Sequence, residues 1–209
     1  MLIDMDTKQR RKSRANLRYW YNQASETEVI DGMNWYNEAQ EFTQGLSEMF
    51  GLSGEVCAGV VSALSPNNKW ERNKKDAVSV LSAVGSGISE DVVKVCTYNA
   101  NKSKAFAIAR GDREMLKRSP KTYAFARNVG EMDGNYVTID KWHMRACITR
   151  SKTRKDVKDK PTALQYRLLQ EDCLKVANEI GIKGYQLQAI VWVTIRNKWL
   201  KRPNIGQNK

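Results

Sequence analysis

The fold class follows from the segment 35–49, Trp35-Tyr-Asn-Glu-Ala-Gln-Glu-Phe-Thr-Gln-Gly-Leu-Ser-Glu-Met49. Its apolar residues recur every three or four positions, at Trp35, Ala39, Phe42, Leu46 and Met49. This is the spacing of one face of an α-helix. The same spacing returns at Leu164, Leu168, Leu169, Val176 and Ile180. We therefore expect an all-α fold.

Turn-forming residues interrupt the helical pattern at intervals and divide it into roughly ten helices. The breaks lie at Gly51 to Ser53, Ser65 to Asn68, Gly85 to Ser89, Gly111, Ser119 to Pro120, Gly130 to Gly134 and Gly181 to Gly184. The polar stretch 151–160 ends at Pro161 and predicts a surface loop before a helix that begins near Thr162. The same stretch could equally touch phosphate.

The charge of the chain points to a polyanionic partner. Its 209 residues carry a formal net charge of +12, with a sequence pI near 9.6. A balance so basic usually marks nucleic acid as the partner, although Lys and Arg that merely solvate a surface would give the same composition. Charge alone does not separate DNA from RNA, so an RNA-binding helical protein stays open.

Cysteine usage and hydropathy narrow the setting. The four cysteines, Cys57, Cys96, Cys147 and Cys173, are too far apart for a CxxC metal pair, and three lie in apolar helical runs, which predicts buried free thiols. A single histidine gives no metal site. Neither a signal peptide nor an apolar run near ~18 residues is present, so we expect a cytoplasmic protein that binds no membrane.

The first twenty residues form a basic segment followed by Tyr19-Trp20-Tyr21. One interpretation places this helix along a phosphate backbone. The other docks it on the core through Leu17, Trp20 and Tyr21.

Residues 56–148 resemble the helix-hairpin-helix family of DNA base-excision glycosylases. The landmarks appear in the family's order: Val60-Val-Ser-Ala-Leu-Ser-Pro-Asn-Asn68 with Asn73-Lys74, then Tyr98-Asn-Ala-Asn-Lys-Ser-Lys-Ala-Phe106, then Leu116-Lys-Arg-Ser-Pro-Lys-Thr122, and finally Val137-Thr-Ile-Asp-Lys-Trp-His-Met-Arg145. The chain departs from the family at the hairpin, which has no Gly-x-Gly, and it carries no four-cysteine cluster loop. We expect no iron-sulfur centre and no other cofactor. The short, lysine-rich chain is most similar to small phage-encoded relatives, for which the compartment would be the bacterial host cytoplasm.

The resemblance implies a catalytic role for Asp140 and Lys121. A carboxylate near C1′ stabilises the oxocarbenium-like sugar that forms when a base-sugar bond breaks. In family members that also cut the strand, a lysine at the hairpin attacks C1′ and forms a Schiff base. Desolvation and the cations Arg118 and Arg127 would lower the pKa of Lys121. Asp140 also precedes a helix, where a structural N-cap is the plain alternative.

The resemblance also implies residues that contact DNA and residues that support the site. The family inserts a side chain into the gap left by a flipped nucleotide, and the turn Ser65 to Trp70 occupies that position. This turn could also be a helix break with no partner. The residues expected to contact DNA are Asn67, Asn68, Lys69, Lys102, Lys104, Lys117 and Arg118. Those expected to support the site or stack on a base are Tyr123, Trp142, His143 and Arg145, with Trp70 and Trp192 as further candidates for stacking.

Residues 1–209 are therefore expected to form one compact unit with two lobes. The central lobe would span about 53–135, and the second would combine about 1–52 with 136–209. The predicted function is excision or exchange of a base in double-stranded DNA through Asp140, with an abasic-site lyase step through Lys121. The alternative is the same fold with a silent site that binds DNA or a protein partner.

Overall fold

A computed structural model describes residues 5–131, 133–151 and 160–200 of the chain. Within these residues the protein consists of helices joined by turns and loops, and no strand occurs. The α-helices are α1 (Thr7–Asn22), α2 (Glu26–Phe50), α3 (Gly54–Leu64), α4 (Trp70–Gly85), α5 (Asn99–Ala109), α6 (Glu114–Lys117), α7 (Pro120–Gly130), α8 (Lys141–Ile148), α9 (Ala163–Ile180) and α10 (Gly184–Leu200), with a short 3₁₀ helix at Glu90–Val92. The all-α prediction and the count of about ten helices are confirmed for the described part of the chain.

The helix ends coincide with the predicted breaks because capping residues stop the helices there. Gly181 ends α9 in a left-handed conformation (φ 84°), which glycine adopts without steric cost. At the start of α9, Thr162 and Gln165 form a reciprocal capping box. Residues 152–159 of the loop predicted before Thr162 lie outside the described part of the chain.

The chain divides into two compact units. The terminal unit comprises Met1–Asn37 and Gly134–Lys209, and the central unit comprises Glu38–Asp133. The division lies earlier in the chain than the predicted lobe boundary near residue 52, so residues 38–50 of α2 belong to the central unit. That the two units form one compact body stays a prediction.

The central unit is built around α3. Its residues from Val56 to Leu64 are all buried, and α4, α5 and α7 pack against it. Gly59 permits the close approach, because a Cβ there would lie 2.9 Å from side-chain atoms of both Ile108 and Leu116. A helix packed against by others on several faces has no polar side, and α3 is accordingly apolar from Val56 to Leu64 except at Ser62.

The terminal unit packs α1 against α8, α9 and α10, and α10 against α8 and α9. Leu17 and Trp20 of α1 are buried, whereas Tyr21 is only half-buried. The basic N-terminal helix is therefore docked on its unit through two of the three residues predicted for that role. Of the cysteines, Cys57, Cys147 and Cys173 are buried thiols, as predicted, and Cys96 is an exposed thiol on the loop before α5.

Candidate functional site

Asp140 is the N-cap of α8. Its Oδ1 accepts a hydrogen bond of 2.8 Å from the backbone N–H of His143, and its backbone is extended (φ −97°, ψ 180°). The carboxylate is half-buried and lies at the helix end whose dipole favours negative charge. The predicted capping role is confirmed, and it holds the carboxylate in one orientation.

Two buried tyrosines lie close to Asp140, and neither was singled out from the sequence. The Tyr36 hydroxyl donates to Gln188 Oε1 at 2.9 Å. The Tyr166 hydroxyl donates to the carbonyl of Val137 at 2.9 Å and accepts from the N–H of Ile139 at 3.1 Å. Burial raises the pKa of both phenols well above the usual value, and the negative charge of Asp140 adds to the rise. The phenols therefore stay protonated at neutral pH.

The sequence contains no signal for these tyrosines as site residues. Tyr36 lies on α2 and Tyr166 on α9, and α9 is separated from Asp140 by the loop that follows α8. The sequence around each tyrosine predicts only a buried position on a helix, which both occupy. Only the packing of α2 and α9 within the terminal unit brings them to the segment before α8.

His143 lies one turn after Asp140 and is 1% exposed. Burial lowers the pKa of His143 to about 4, so the ring is neutral at pH 7. Among the described residues, neither Nδ1 nor Nε2 has a hydrogen-bond partner. The ring is packed inside the terminal unit, in agreement with its predicted supporting position.

Trp142 and Arg145 contact each other on α8. The Arg145 guanidinium lies 5.1 Å from the centre of the Trp142 ring and 5.9 Å from that of Trp199, and the two rings form a T-shaped, edge-to-face pair with centres 6.1 Å apart. Trp192 similarly pairs with Trp35 at 6.2 Å and with Arg196 at 4.3 Å. In the central unit Trp70 pairs with Phe42 at 5.9 Å. These tryptophans all take part in packing, and their predicted role in base stacking stays a prediction.

Lys121 belongs to the central unit, in the first turn of α7. Its side chain is exposed, so the protein itself does not desolvate the amine. Arg127, expected to act on Lys121 as a cation, is instead paired with Glu131 at 2.7 Å and with Asp133 at 3.2 Å. Activation of Lys121 would therefore need a substrate that covers it.

The cations around α6 and α7 differ in how far their charge is compensated. The Lys117 ammonium pairs with Glu114 at 2.6 Å, which raises the pKa of Lys117. Burial and the nearby charge of Arg118 lower the pKa of Lys104, which indicates that these two cations are neighbours. Tyr123, on α7, is half-buried. Lys104 and Arg118 are thus the better pair for an anion in the central unit.

The turn between α3 and α4 exposes Asn67 and Lys69 of the three residues predicted to contact DNA there and turns Asn68 inward. Asn67 is exposed in a left-handed conformation (φ 57°), and its amide donates to the hydroxyl of Tyr98, which is 64% exposed, at 3.2 Å. Asn68 donates to Asp76 Oδ2 at 2.8 Å, which also accepts from the N–H of Cys96. Lys69 is the exposed N-cap of α4. Asn67, rather than Asn68, is available for contact.

Lys102 has a structural position. Its ammonium donates to the carbonyls of Glu90 at 2.9 Å and Val93 at 3.2 Å, where it closes the end of the 3₁₀ helix. Two of the three donors of this ammonium are therefore already engaged, and Lys102 contributes less to an anion site than its charge suggests.

The arginines of α1 are mostly neutralised by α9. Arg10 and Arg14 donate to the fully buried Asp172 at 3.0 and 2.6 Å, and Arg18 pairs with Glu179. The predicted position of α1 along a phosphate backbone stays a prediction, and it would depend on the cations that α9 does not pair. The basic composition of α1 is thus partly explained by ion pairs within the terminal unit.

The described residues contain neither a metal-binding group nor a membrane-spanning helix. No group of three or more His, Cys, Asp or Glu side chains there is arranged to hold a metal ion. None of the described helices is long and apolar enough to cross a lipid bilayer.

The fold and the site define an all-α protein of two units with a capped carboxylate in the terminal unit. The chain belongs to a family of unknown function, DUF7178, whose model matches residues 1–199. No curated protein and no solved structure matches the chain.

Proposed function

We propose that the protein cleaves the N-glycosidic bond of a base in double-stranded DNA, with Asp140 as the carboxylate that stabilises the sugar. The observation that carries this proposal is the geometry of Asp140. Its Oδ1 is held by the His143 amide, and it lies beside phenols that keep their protons. A preorganised negative charge in a partly buried setting suits a transition state in which positive charge develops.

In the proposed reaction the bond electrons leave with the base, and the sugar becomes oxocarbenium-like at C1′. The ionised Asp140 stabilises that charge and accepts a proton from the attacking water, whose oxygen then bonds to C1′. A damaged or modified base is the expected substrate, because an altered base is easier to extrude from the duplex. The net charge of +12 supports a polyanionic substrate.

A lyase step through Lys121 is a further part of the proposal. Since the Lys121 side chain is exposed, its amine would become nucleophilic only when bound DNA excludes water from it. Attack at C1′ of an abasic site would expel water and form a Schiff base that borohydride reduces to a stable crosslink.

The alternative is a DNA-binding module with a silent site. The Asp140 to His143 hydrogen bond favours it, because an aspartate that only caps a helix makes this same contact. The two functions differ in whether loss of the Asp140 charge removes turnover.

The test is base release from duplex oligonucleotides that each carry one altered base, such as uracil, hypoxanthine, 8-oxoguanine or 3-methyladenine. Asp140→Asn keeps an equally good N-cap. We expect it to lower base release by about 10²- to 10³-fold, as does loss of one electrostatic stabiliser in other enzymes. Asp6→Asn is the matched control, since Asp6 caps α1 through the N–H of Gln9 at 2.7 Å.

Equal activity of the wild type and Asp140→Asn would show that Asp140 is only a cap. Borohydride trapping on abasic duplex DNA, with and without Lys121→Ala, tests the lyase step separately. DNA binding without base release or trapping would establish the silent module.

A further inference from the structure

An open cavity of about 520 Å³ lies in the terminal unit, at the opposite end of α8 from Asp140. Its lining comes from one side of α1 and from the chain that leaves α8, and comprises Lys12, Ala15, Asn16, Ile148, Thr149, Arg150 and Ser151. Because α8 has eight residues, the cavity lies roughly 12 Å along the helix from Asp140. It is therefore a second, separate feature of the unit.

Arg150 in this cavity is held in place on three sides. Its Nε donates to Asn16 Oδ1 at 2.8 Å, and its Nη2 donates to the carbonyl of Ala15 at 3.1 Å. Its guanidinium lies 4.5 Å from the centre of the Tyr19 ring. An exposed arginine normally loses rotamer freedom when it binds a ligand, and much of that cost is already met here.

The floor of the cavity is equally well fixed. The buried Asn16 side chain donates to the carbonyl of Cys147 at 2.9 Å while it accepts from Arg150. The Trp20 indole donates to the carbonyl of Thr149 at 3.2 Å. These bonds tie the end of α8 to α1, so the backbone that carries Arg150 is held beside the turn of α1 that carries Lys12.

Within the described residues, no acid compensates the charges of Lys12 and Arg150. Arg10, Arg14 and Arg18 on the same helix α1 are each paired with a carboxylate of α9. No carboxylate among the described residues pairs with Lys12 or Arg150. Of the five N–H donors of an arginine, only two are used by the bonds to Asn16 and Ala15.

We propose that this cavity binds a phosphate group of the polynucleotide backbone through Arg150 and Lys12. The fixed guanidinium supplies directional donors and Lys12 a mobile point charge, a combination that suits a phosphate diester. This inference rests on the proposed DNA substrate but not on the chemistry at Asp140. It makes the terminal unit a contributor to DNA docking.

The test is fluorescence anisotropy of a labelled, unmodified duplex as salt is raised, with Arg150→Gln, Lys12→Gln and Arg150→Lys. We expect each Gln variant to weaken binding about tenfold at low salt and to reduce the slope of log K against log salt by about one. Arg150→Lys keeps the charge but loses the forked donors of the guanidinium. Its affinity for the duplex should lie between that of the wild type and that of Arg150→Gln. Lys175→Gln removes the same charge from an exposed position of α9 and should change binding less than twofold.

The proposal is overturned if Arg150→Gln and Lys12→Gln bind the duplex as Lys175→Gln does. A second arm titrates inorganic phosphate and follows the melting temperature. Stabilisation by phosphate that depends on Arg150, combined with unchanged duplex binding, would assign the cavity to a free phosphorylated ligand and would also overturn the proposal. Because the Lys12 side chain is exposed, Lys12→Gln should leave the fold intact, and it keeps the test valid if Arg150→Gln unfolds.

Failure of this inference is distinguishable from failure of the proposed function. Asp140→Asn should lower base release at saturating DNA by about 10²- to 10³-fold and leave duplex affinity unchanged. Arg150→Gln should raise the DNA concentration for half-maximal base release and leave the maximal rate unchanged. If the wild type releases no base, the anisotropy result still decides the role of the cavity.

Discussion

His143 is a residue whose charge state at mildly acidic pH depends on the fold. It is the one histidine of the chain and is buried beside the capped start of α8. A histidine in solution has a pKa near 6.5, whereas burial lowers the pKa of His143 to about 4. The imidazole therefore stays neutral in the folded protein over a pH range in which the unfolded chain is protonated.

This difference predicts a pH dependence of stability with a definite sign. Between about pH 6.5 and pH 4 the unfolded state binds more protons, so the stabilising contribution is present above pH 6.5 and is lost as the pH falls. We expect the free energy of unfolding to drop by about 2 kcal/mol from pH 7 to pH 5. Urea unfolding at several pH values measures it.

His143→Gln provides the control, because glutamine does not titrate. The variant is less sensitive to pH between 7 and 5, whatever its absolute stability. A wild type with a flat profile in this range, or a variant with the same slope as the wild type, would show that the folded protein protonates His143 as readily as the unfolded chain does.

At the scale of elements, α2 shows how one helix obeys different constraints along its length. Gly32 faces α10 so closely that a Cβ would lie 2.5 Å from Ile190 Cα and 2.6 Å from its N. Gly45 has no atom within 4 Å of its would-be Cβ. The first glycine is needed for close packing of two helix backbones, whereas the second only weakens the helix.

The same substitution should therefore have opposite effects at these two positions. Gly32→Ala forces α2 away from α10, and we expect a loss of about 1–3 kcal/mol or more in the free energy of unfolding. Gly45→Ala should raise it by up to about 1 kcal/mol, through higher helix propensity. Urea unfolding of both variants checks this pair, and a loss of stability in Gly45→Ala would contradict it.

At the scale of the whole molecule, the cations behind the net charge of +12 are not equally available to a polyanionic partner. The arginines of α1 are largely used in ion pairs with α9, and Lys117 and Arg127 pair with acids of their own helices or of the following turn. The cations left for a polyanion include Lys104 with Arg118 in the central unit and Lys12 with Arg150 in the terminal unit. DNA binding should depend on these few positions rather than on the total charge.

The number of such contacts can be measured through salt. Each neutralised phosphate contributes about 0.9 to the slope of log K against log salt. With at least two contacts, the dissociation constant for duplex DNA should rise about tenfold or more between 50 and 200 mM salt. Binding that does not respond to salt would mean that the basic charge only solvates the surface.

Much of the fold could be predicted from local patterns. The three-to-four residue spacing from Trp35 to Met49 lies within α2, and the glycine and proline breaks mark the helix ends, because caps and turns depend on residues adjacent in sequence. Asp140 was recognisable as an N-cap for the same reason. Buried positions of Cys57, Cys147 and Cys173 followed from their apolar helical runs.

Tertiary structure alone decided which charged and polar groups meet. Tyr36 and Tyr166 come to Asp140, and Asp172 comes to Arg10 and Arg14, through packing between helices distant in the chain. Local periodicity records which face of a helix is apolar but not which helix covers it. The sequence by itself therefore determined the helices, their ends and the basic charge. The fixed position of Arg150, with which no described carboxylate pairs, and the phenols around Asp140 arise only from contacts that depend on the fold.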